Sequence, residues 1–192
     1  MKRKGQIVPI LFSFALAASL ALFGCPNPTN SDDPPDDTGG GITTPTPVIF
    51  TDFETDIGGW EGNSATAELS TEQFKNGEQS CKVITGDAGW KSVWMYNLGS
   101  TILNDVSYDY SVWIYQESGA EVKFNITLKD SNEGYNSVKY EAPVPSGEWT
   151  ELSSTFTLTA DKGTADSLYI EAGTNPVTFY FDDFKVIQTP SE

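Results

Sequence analysis

From Val48 onward the chain runs as short stretches in which apolar and polar side chains alternate, separated by Gly, Asn and Asp. Glu121–Lys129 is the clearest: Val122, Phe124, Ile126 and Leu128 interleave with Lys123, Asn125, Thr127 and Lys129. Successive side chains on a strand point to opposite faces, so this stretch predicts a strand with one dry and one wet side. The same period-two reading predicts strands at Val48–Phe53, Thr66–Ser70, Ser80–Ile84, Lys91–Leu98, Val106–Gln116, Trp149–Leu158, Ser167–Glu171 and Val177–Ile187. No segment sustains a 3.6-residue period. About nine strands punctuated by turn residues predict an all-β chain, a β-sandwich of the jelly-roll kind.

Asp87–Leu98 is the stretch richest in large rings, with Trp90, Trp94 and Tyr96 inside seven residues. Alternation places Ser92, Trp94, Tyr96 and Leu98 on one face, and Lys91, Val93, Met95 and Asn97 on the other. Trp94 and Tyr96 are expected in the core with Leu98. Trp90 follows the Gly86–Gly89 turn at a strand entrance, where a ring is expected to be partly exposed. Trp60, Trp113 and Trp149 sit in or beside alternating apolar runs and are expected to pack.

The first 47 residues differ from the rest. A basic start (Lys2, Arg3, Lys4), an apolar run from Ile7 to Phe23 and Gly24-Cys25 predict an export signal over residues 1–24. Leu22-Phe23-Gly24-Cys25 resembles the bacterial lipobox, which implies lipidation at Cys25; Phe23 stands where a small residue is more usual. Pro26 and Asn27 follow in place of a retaining Asp, so the expected location is the outer membrane or cell surface, with a membrane partner through the lipid. Residues 25–47 carry Pro, Asp, Thr and Gly and little that is apolar, and predict an extended tether reaching roughly 70 Å. The folded domain is expected over residues 48–188.

Charge narrows the partner. The eleven Lys and Arg of the whole chain, less the three of the leader, leave eight cations against 27 carboxylates, a net charge of −19. Beyond the leader there is no Arg, and the chain has no His. That excludes His-dependent nucleophile systems and His metal sites. It also argues against nucleic acid or any anionic polymer as a partner. A neutral ligand suits this surface, and the chain is expected to be a monomer. Cys81 falls within a predicted strand and is expected to be a small buried hydrophobe.

A family resemblance emerges from motifs in order. Phe53-Glu54 followed by Gly59-Trp60, then Asn76-Gly77-Glu78-Gln79-Ser80-Cys81-Lys82-Val83, then the strand Tyr108–Gln116, then Gly147-Glu148-Trp149-Thr150-Glu151-Leu152 are each similar to segments of carbohydrate-binding modules. Leu168-Tyr169-Ile170-Glu171 and Phe179-Tyr180-Phe181-Asp182-Asp183-Phe184 complete the series. The ordered succession resembles the galactose-binding-like jelly-roll modules of families 4, 9 and 22, which bind xylan, β-glucan or cellulose chains. The resemblance implies non-catalytic binding of neutral polysaccharide. Trp90 stands where such modules have a stacking tryptophan, Tyr135 stands where they have a stacking tyrosine, with Tyr140 as a second candidate for that place, and Glu171 stands where a glutamate bonds a sugar hydroxyl. Asn63 replaces an arginine of that pattern, so the preferred glycan is left open among xylan, β-glucan and mannan. Asn125 and Thr127, on the polar face of their strand, are further candidates for hydroxyl contacts. The resemblance also implies a structural Ca²⁺, with Asp52, Glu54, Asn76 and Asp182 at the matching positions; hard cations seek six to eight oxygens.

Two other classes remain in view. Glycoside hydrolysis needs two carboxylates about 5–10 Å apart in a shaped cleft. The short loops single out no acidic pair, so catalysis is not expected. An adhesin or protein-interaction module on the same scaffold is the alternative to glycan binding, because fold by itself does not separate them.

Overall fold

The computed structural model describes residues 45–190. The predicted leader, most of the tether and Cys25 lie outside the described residues. Eleven strands follow in order: β1 Pro47–Thr51, β2 Trp60–Gly62, β3 Thr66–Ser70, β4 Ser80–Ile84, β5 Val93–Tyr96, β6 Ser107–Gln116, β7 Val122–Asp130, β8 Tyr135–Val144, β9 Thr150–Thr157, β10 Ala165–Glu171 and β11 Thr178–Gln188. A single 3₁₀ turn, Leu98–Ser100, is the sole helical element among the described residues.

The strands form two antiparallel sheets. One has six strands, ordered β3-β4-β11-β6-β9 with β1 also paired to β11; the other has five, ordered β2-β5-β10-β7-β8. Their facing sides supply the core. Phe53 and Trp60 pack edge-on against Phe181 at 4.9 and 5.1 Å, and Trp60 meets Phe184 at 4.9 Å. Phe124 from one sheet meets Phe179 from the other at 5.0 Å, edge to face, the arrangement aromatic quadrupoles favour. This is the jelly-roll β-sandwich. Cys81 is fully buried in the core, and burial pushes its thiol up to about 12, so no thiolate forms near neutral pH.

The structure departs from the alternation reading in several places, beginning with β2, which was not predicted. Trp94 and Tyr96 are not core residues: Val93 and Met95 are buried, while Trp94 and Tyr96 stand half-buried on the outer face. Leu98, which shares their parity, does reach the core. Asn97 between them adopts the left-handed conformation (φ 62°), which breaks the alternation just after the strand ends. Strand β8 was not predicted, because Pro143 and an irregular pattern conceal it. It is an edge strand, where a missing N–H is tolerated. Trp113 and Trp149 pack as expected, but outside the sandwich, on the outer face of the six-stranded sheet; Trp60 lies inside.

Candidate glycan-binding face

The outer face of the five-stranded sheet is floored by the wet sides of its strands. Register places Tyr169 of β10 between Trp94 of β5 and Thr127 of β7, and places Glu171 opposite Asn125. Thr127 Oγ1 donates to Glu171 Oε2 at 3.2 Å. Glu171 is half-buried, and burial raises its carboxyl above the ordinary range, an effect the Thr127 hydrogen bond partly offsets. The floor therefore offers a carboxylate, a hydroxyl and an amide within adjoining register positions.

Trp90 is brought to this face by the loop between β4 and β5. The preceding Gly89 is tied twice: Gly89 N donates to Thr174 O at 3.2 Å, and Ala172 N donates to Gly89 O at 3.1 Å. The approach is so close that a Cβ at Gly89 would lie 1.9 Å from the Ala172 carbonyl oxygen, which only glycine avoids. Trp90 is left 52% exposed, with the Lys91 ammonium 5.4 Å from its ring centre and held there by a 2.6 Å ion pair to Asp87.

Tyr140 arrives from the opposite side by a bulge. Phe124 pairs with Ala142 and Ile126 with Lys139, so two steps along β7 span three along β8. The surplus residue is thrown outward, leaving Tyr140 71% exposed although Val138 and Ala142, of the same parity, are buried. Glu141 takes the strained φ of 46° here, and its N–H donates to Asn125 Oδ1 at 2.8 Å. Asn125 thus spends its carbonyl on fixing the bulge that presents Tyr140. Trp90, Tyr140 and Asn125 line one cavity of about 600 Å³, together with Lys123, Glu141 and Asn175.

Tyr135, at the start of β8, is 68% exposed and packs 6.3 Å from Tyr169. Its hairpin is held by Asp130, which accepts N–H bonds from Asn132 and Gly134 and one from the Asn136 amide. Tyr135 and Glu171 are on the same face as the cavity but are not among its lining residues. Asn63, half-buried, donates its N–H to the carbonyl of Ser92, just before β5, at 2.7 Å. Sequence reasoning passed over Tyr169 as a site residue, although it has the same parity as Glu171 on β10. It also placed Trp94 and Tyr96 on the wrong side of their sheet.

The expected calcium ligands behave differently. Asp182 is fully buried, and its carboxylate accepts N–H bonds from Lys75, Asn76 and Asp183. Glu54 accepts N–H bonds from Glu78 and Gln79, so the two carboxylates grip one loop from both ends. Asp52 is exposed and bonds the Glu54 N–H, while the Asn76 amide donates to Asp183. Among the described residues no three His, Cys, Asp or Glu side chains gather as a metal cage. Of the four expected residues, Glu54 and Asp182 both bind the Lys75–Gln79 loop, and Asn76 lies within it. The pair still suits a hard cation, because Asp182 is a buried carboxylate with no cationic side chain at ion-pair distance among the described residues.

Over 154 residues the chain is 33% identical to an endo-1,4-β-xylanase A of Thermotoga neapolitana, which covers 77% of this chain but 14% of the xylanase. An endo-1,4-β-xylanase A of Thermoanaerobacterium saccharolyticum is 26% identical over 144 residues, 62% of this chain and 12% of that protein. The chain thus spans about one seventh of the curated relatives it matches. Among solved structures, the CBM22-1 xylan-binding domain from Paenibacillus barcinonensis superposes with a TM-score of 0.67 at 19% identity, covering 77% of this chain and 97% of that one. The C-terminal family 22 carbohydrate-binding module of a Clostridium thermocellum protein gives 0.67 at 21%, covering 76% and 96%. At these identities the likeness is one of fold. The family model for the carbohydrate binding domain matches residues 48–177, and the chain belongs to that family.

Proposed function

We propose that this domain binds a neutral β-linked polysaccharide, xylan first among the candidates, without acting on it chemically. The observation that carries the reading is the convergence of exposed rings on one face around a half-buried carboxylate. A pyranose offers a C–H face that packs on an aromatic ring and a rim of hydroxyls that need paired donors and acceptors. Trp90 and Tyr140 supply the rings, with Tyr135 and Tyr169 beyond them, while Glu171 and Thr127 bond the rim. Asn125 positions Tyr140 and keeps its amide N–H groups for the ligand. Each stacked ring contributes on the order of 1–3 kcal/mol, which places the affinity at roughly micromolar to millimolar. Likeness to modules of xylanases favours xylan over β-glucan and mannan, and the net charge of −19 beyond the leader favours an uncharged chain over an anionic one. Electrophoresis of the full chain through gels carrying xylan, β-glucan or mannan tests this. Retardation is expected in xylan; unimpeded migration in all three rejects the reading in favour of a protein partner.

Two accessory features belong to the same reading. Cys25 carries the lipid that fixes the chain to the outer membrane or cell surface, with the domain acting there as a monomer. Glu54 and Asp182 hold a Ca²⁺ with backbone carbonyls of the Lys75–Gln79 loop, and the cation neutralises the buried Asp182 carboxylate. A melting temperature that falls in EDTA and recovers with calcium is the expected result; one indifferent to both removes the cation.

A further inference from the structure

In the loop joining β3 to β4, two carboxylates hold four of five consecutive backbone N–H groups. Asp182 Oδ2 accepts from Lys75 at 2.8 Å and from Asn76 at 3.1 Å. Glu54 accepts from Glu78 at 3.1 Å and from Gln79 at 3.2 Å. The fifth residue, Gly77, lies between the two clamps, and its N–H has no acceptor among the described residues. Asn76 and Gly77 are both exposed, and theirs is the one Asn-Gly pair in the chain. Glycine is built into this position. Gly77 has a φ of 67°, and a Cβ there would lie 2.1 Å from Glu54 Oε1. No side chain at residue 77 therefore stands between the amide of Asn76 and the nitrogen that follows it.

We propose that Asn76 is a site of slow, spontaneous deamidation that loosens this loop and limits how long the domain keeps its full stability. The Gly77 nitrogen, having given its proton to solvent, attacks Cγ of Asn76. The Cγ–Nδ2 bond breaks, and the amide nitrogen leaves as ammonia with a proton taken from water. Water then opens the five-membered imide. Addition at Cγ restores the ordinary backbone with an aspartate at position 76. Addition at the main-chain carbonyl leaves the chain running through the side chain, one methylene longer. Water is the sole co-reactant, and nothing is oxidised or reduced.

Both products disturb the clamp. The Asn76 amide donates to Asp183 Oδ2. A carboxylate in its place has no proton to give, and two like charges then face each other. The lengthened backbone does not keep all four N–H groups on their acceptors, because Asp182 is fixed within β11 and Glu54 is placed just after β1. Asp182 is fully buried, so each donor it loses leaves a desolvated carboxylate less satisfied. The reaction needs nothing from the glycan-binding face, since the loop joins two strands of the other sheet.

Incubation of the full chain in warm, mildly alkaline buffer with EDTA tests this, followed by peptide mass mapping and an isoaspartyl-specific assay. A gain of about one mass unit at Asn76 is expected, with half conversion in days to weeks. The converted fraction is expected to melt about 5 °C lower. Asn76→Gln, whose longer side chain closes a six-membered ring far more slowly, is expected to stay unconverted, and Asn76→Asp to reproduce the charge part of the fall at once. If the folded chain stays unconverted while urea-unfolded chain reacts, the clamped loop protects Asn76 and the site is rejected. Conversion at Asn63 or Asn136, each followed by Ser, as fast as at Asn76 also rejects it. Conversion with an unchanged melting temperature rejects the loosening of the loop.

Discussion

Both sheets of the sandwich carry rings on their outer faces, yet the two faces are finished differently. On the six-stranded sheet Tyr115 lies between Trp149 at 5.4 Å and Tyr180 at 6.1 Å. There the phenols are already engaged: Tyr115 donates to Glu117 and Tyr180 to Glu72, each at 2.6 Å. Lys82 closes on Glu72 at 2.6 Å, Gln73 on Glu117 at 3.1 Å, and the Lys75 ammonium sits 3.9 Å over the Trp113 ring. On the five-stranded sheet Tyr135 and Tyr140 stand open, and Trp94 Nε1 lacks a partner. A count of aromatic residues does not separate a packing face from a recognition face. Saturation of the polar groups between the rings does, since a saturated network has little left to offer a ligand.

The comparison can be broken experimentally. The largest effect is expected from Trp90→Ala combined with Tyr140→Ala. Two stacked rings at about 1–3 kcal/mol each amount to a loss of about a hundredfold or more in affinity, with the melting temperature little changed, because both rings are exposed. A large fall in stability would show that the open face also holds the fold together. Next comes Tyr180→Phe on the closed face. It is expected to lower stability by about 0.5–1.5 kcal/mol, read by denaturant titration, and to leave glycan affinity where it was. A loss of affinity there would erase the contrast between the faces.

The smallest effect concerns Glu171. Burial raises its carboxyl pKa, so the folded state holds this proton more tightly than the unfolded chain does. Its stabilising contribution is then complete below the ordinary carboxylate range and is lost as pH rises through the raised value. Glu171→Gln, which has no charge to desolvate, is expected to gain stability over the wild type as pH climbs from about 4 to 7, while affinity for xylan falls a few-fold. A stability difference independent of pH would show that Glu171 is not desolvated.

Much of this architecture can be read from residue order. The period-two runs located nine of the eleven strands because each strand packs one face on a common core, and burial imposes the alternation directly on the sequence. Strand β2 escaped because three residues are too few to show a period, and β8 because its bulges spoil the period. Trp90 was identifiable as an exposed ring from its glycine-flanked turn. Trp94 and Tyr96 were not, because a parity carried through to Leu98 assumes an unbroken strand, and Asn97 breaks it.

The sequence by itself determined a β-sandwich, a chain suited to uncharged partners, and the residue types that could meet a sugar. Those properties are local or additive: a side chain's face is set by its neighbours, and a charge by counting. The tertiary structure alone decided which rings share a face and which stay open. Trp90 reaches the trough through contacts with residues 172–174, and Tyr140 is turned out by a bulge that Asn125 fixes from the adjoining strand. Both depend on partners far along the chain, and the pairing of distant strands is set by the packing of the whole sandwich rather than by any short run of residues.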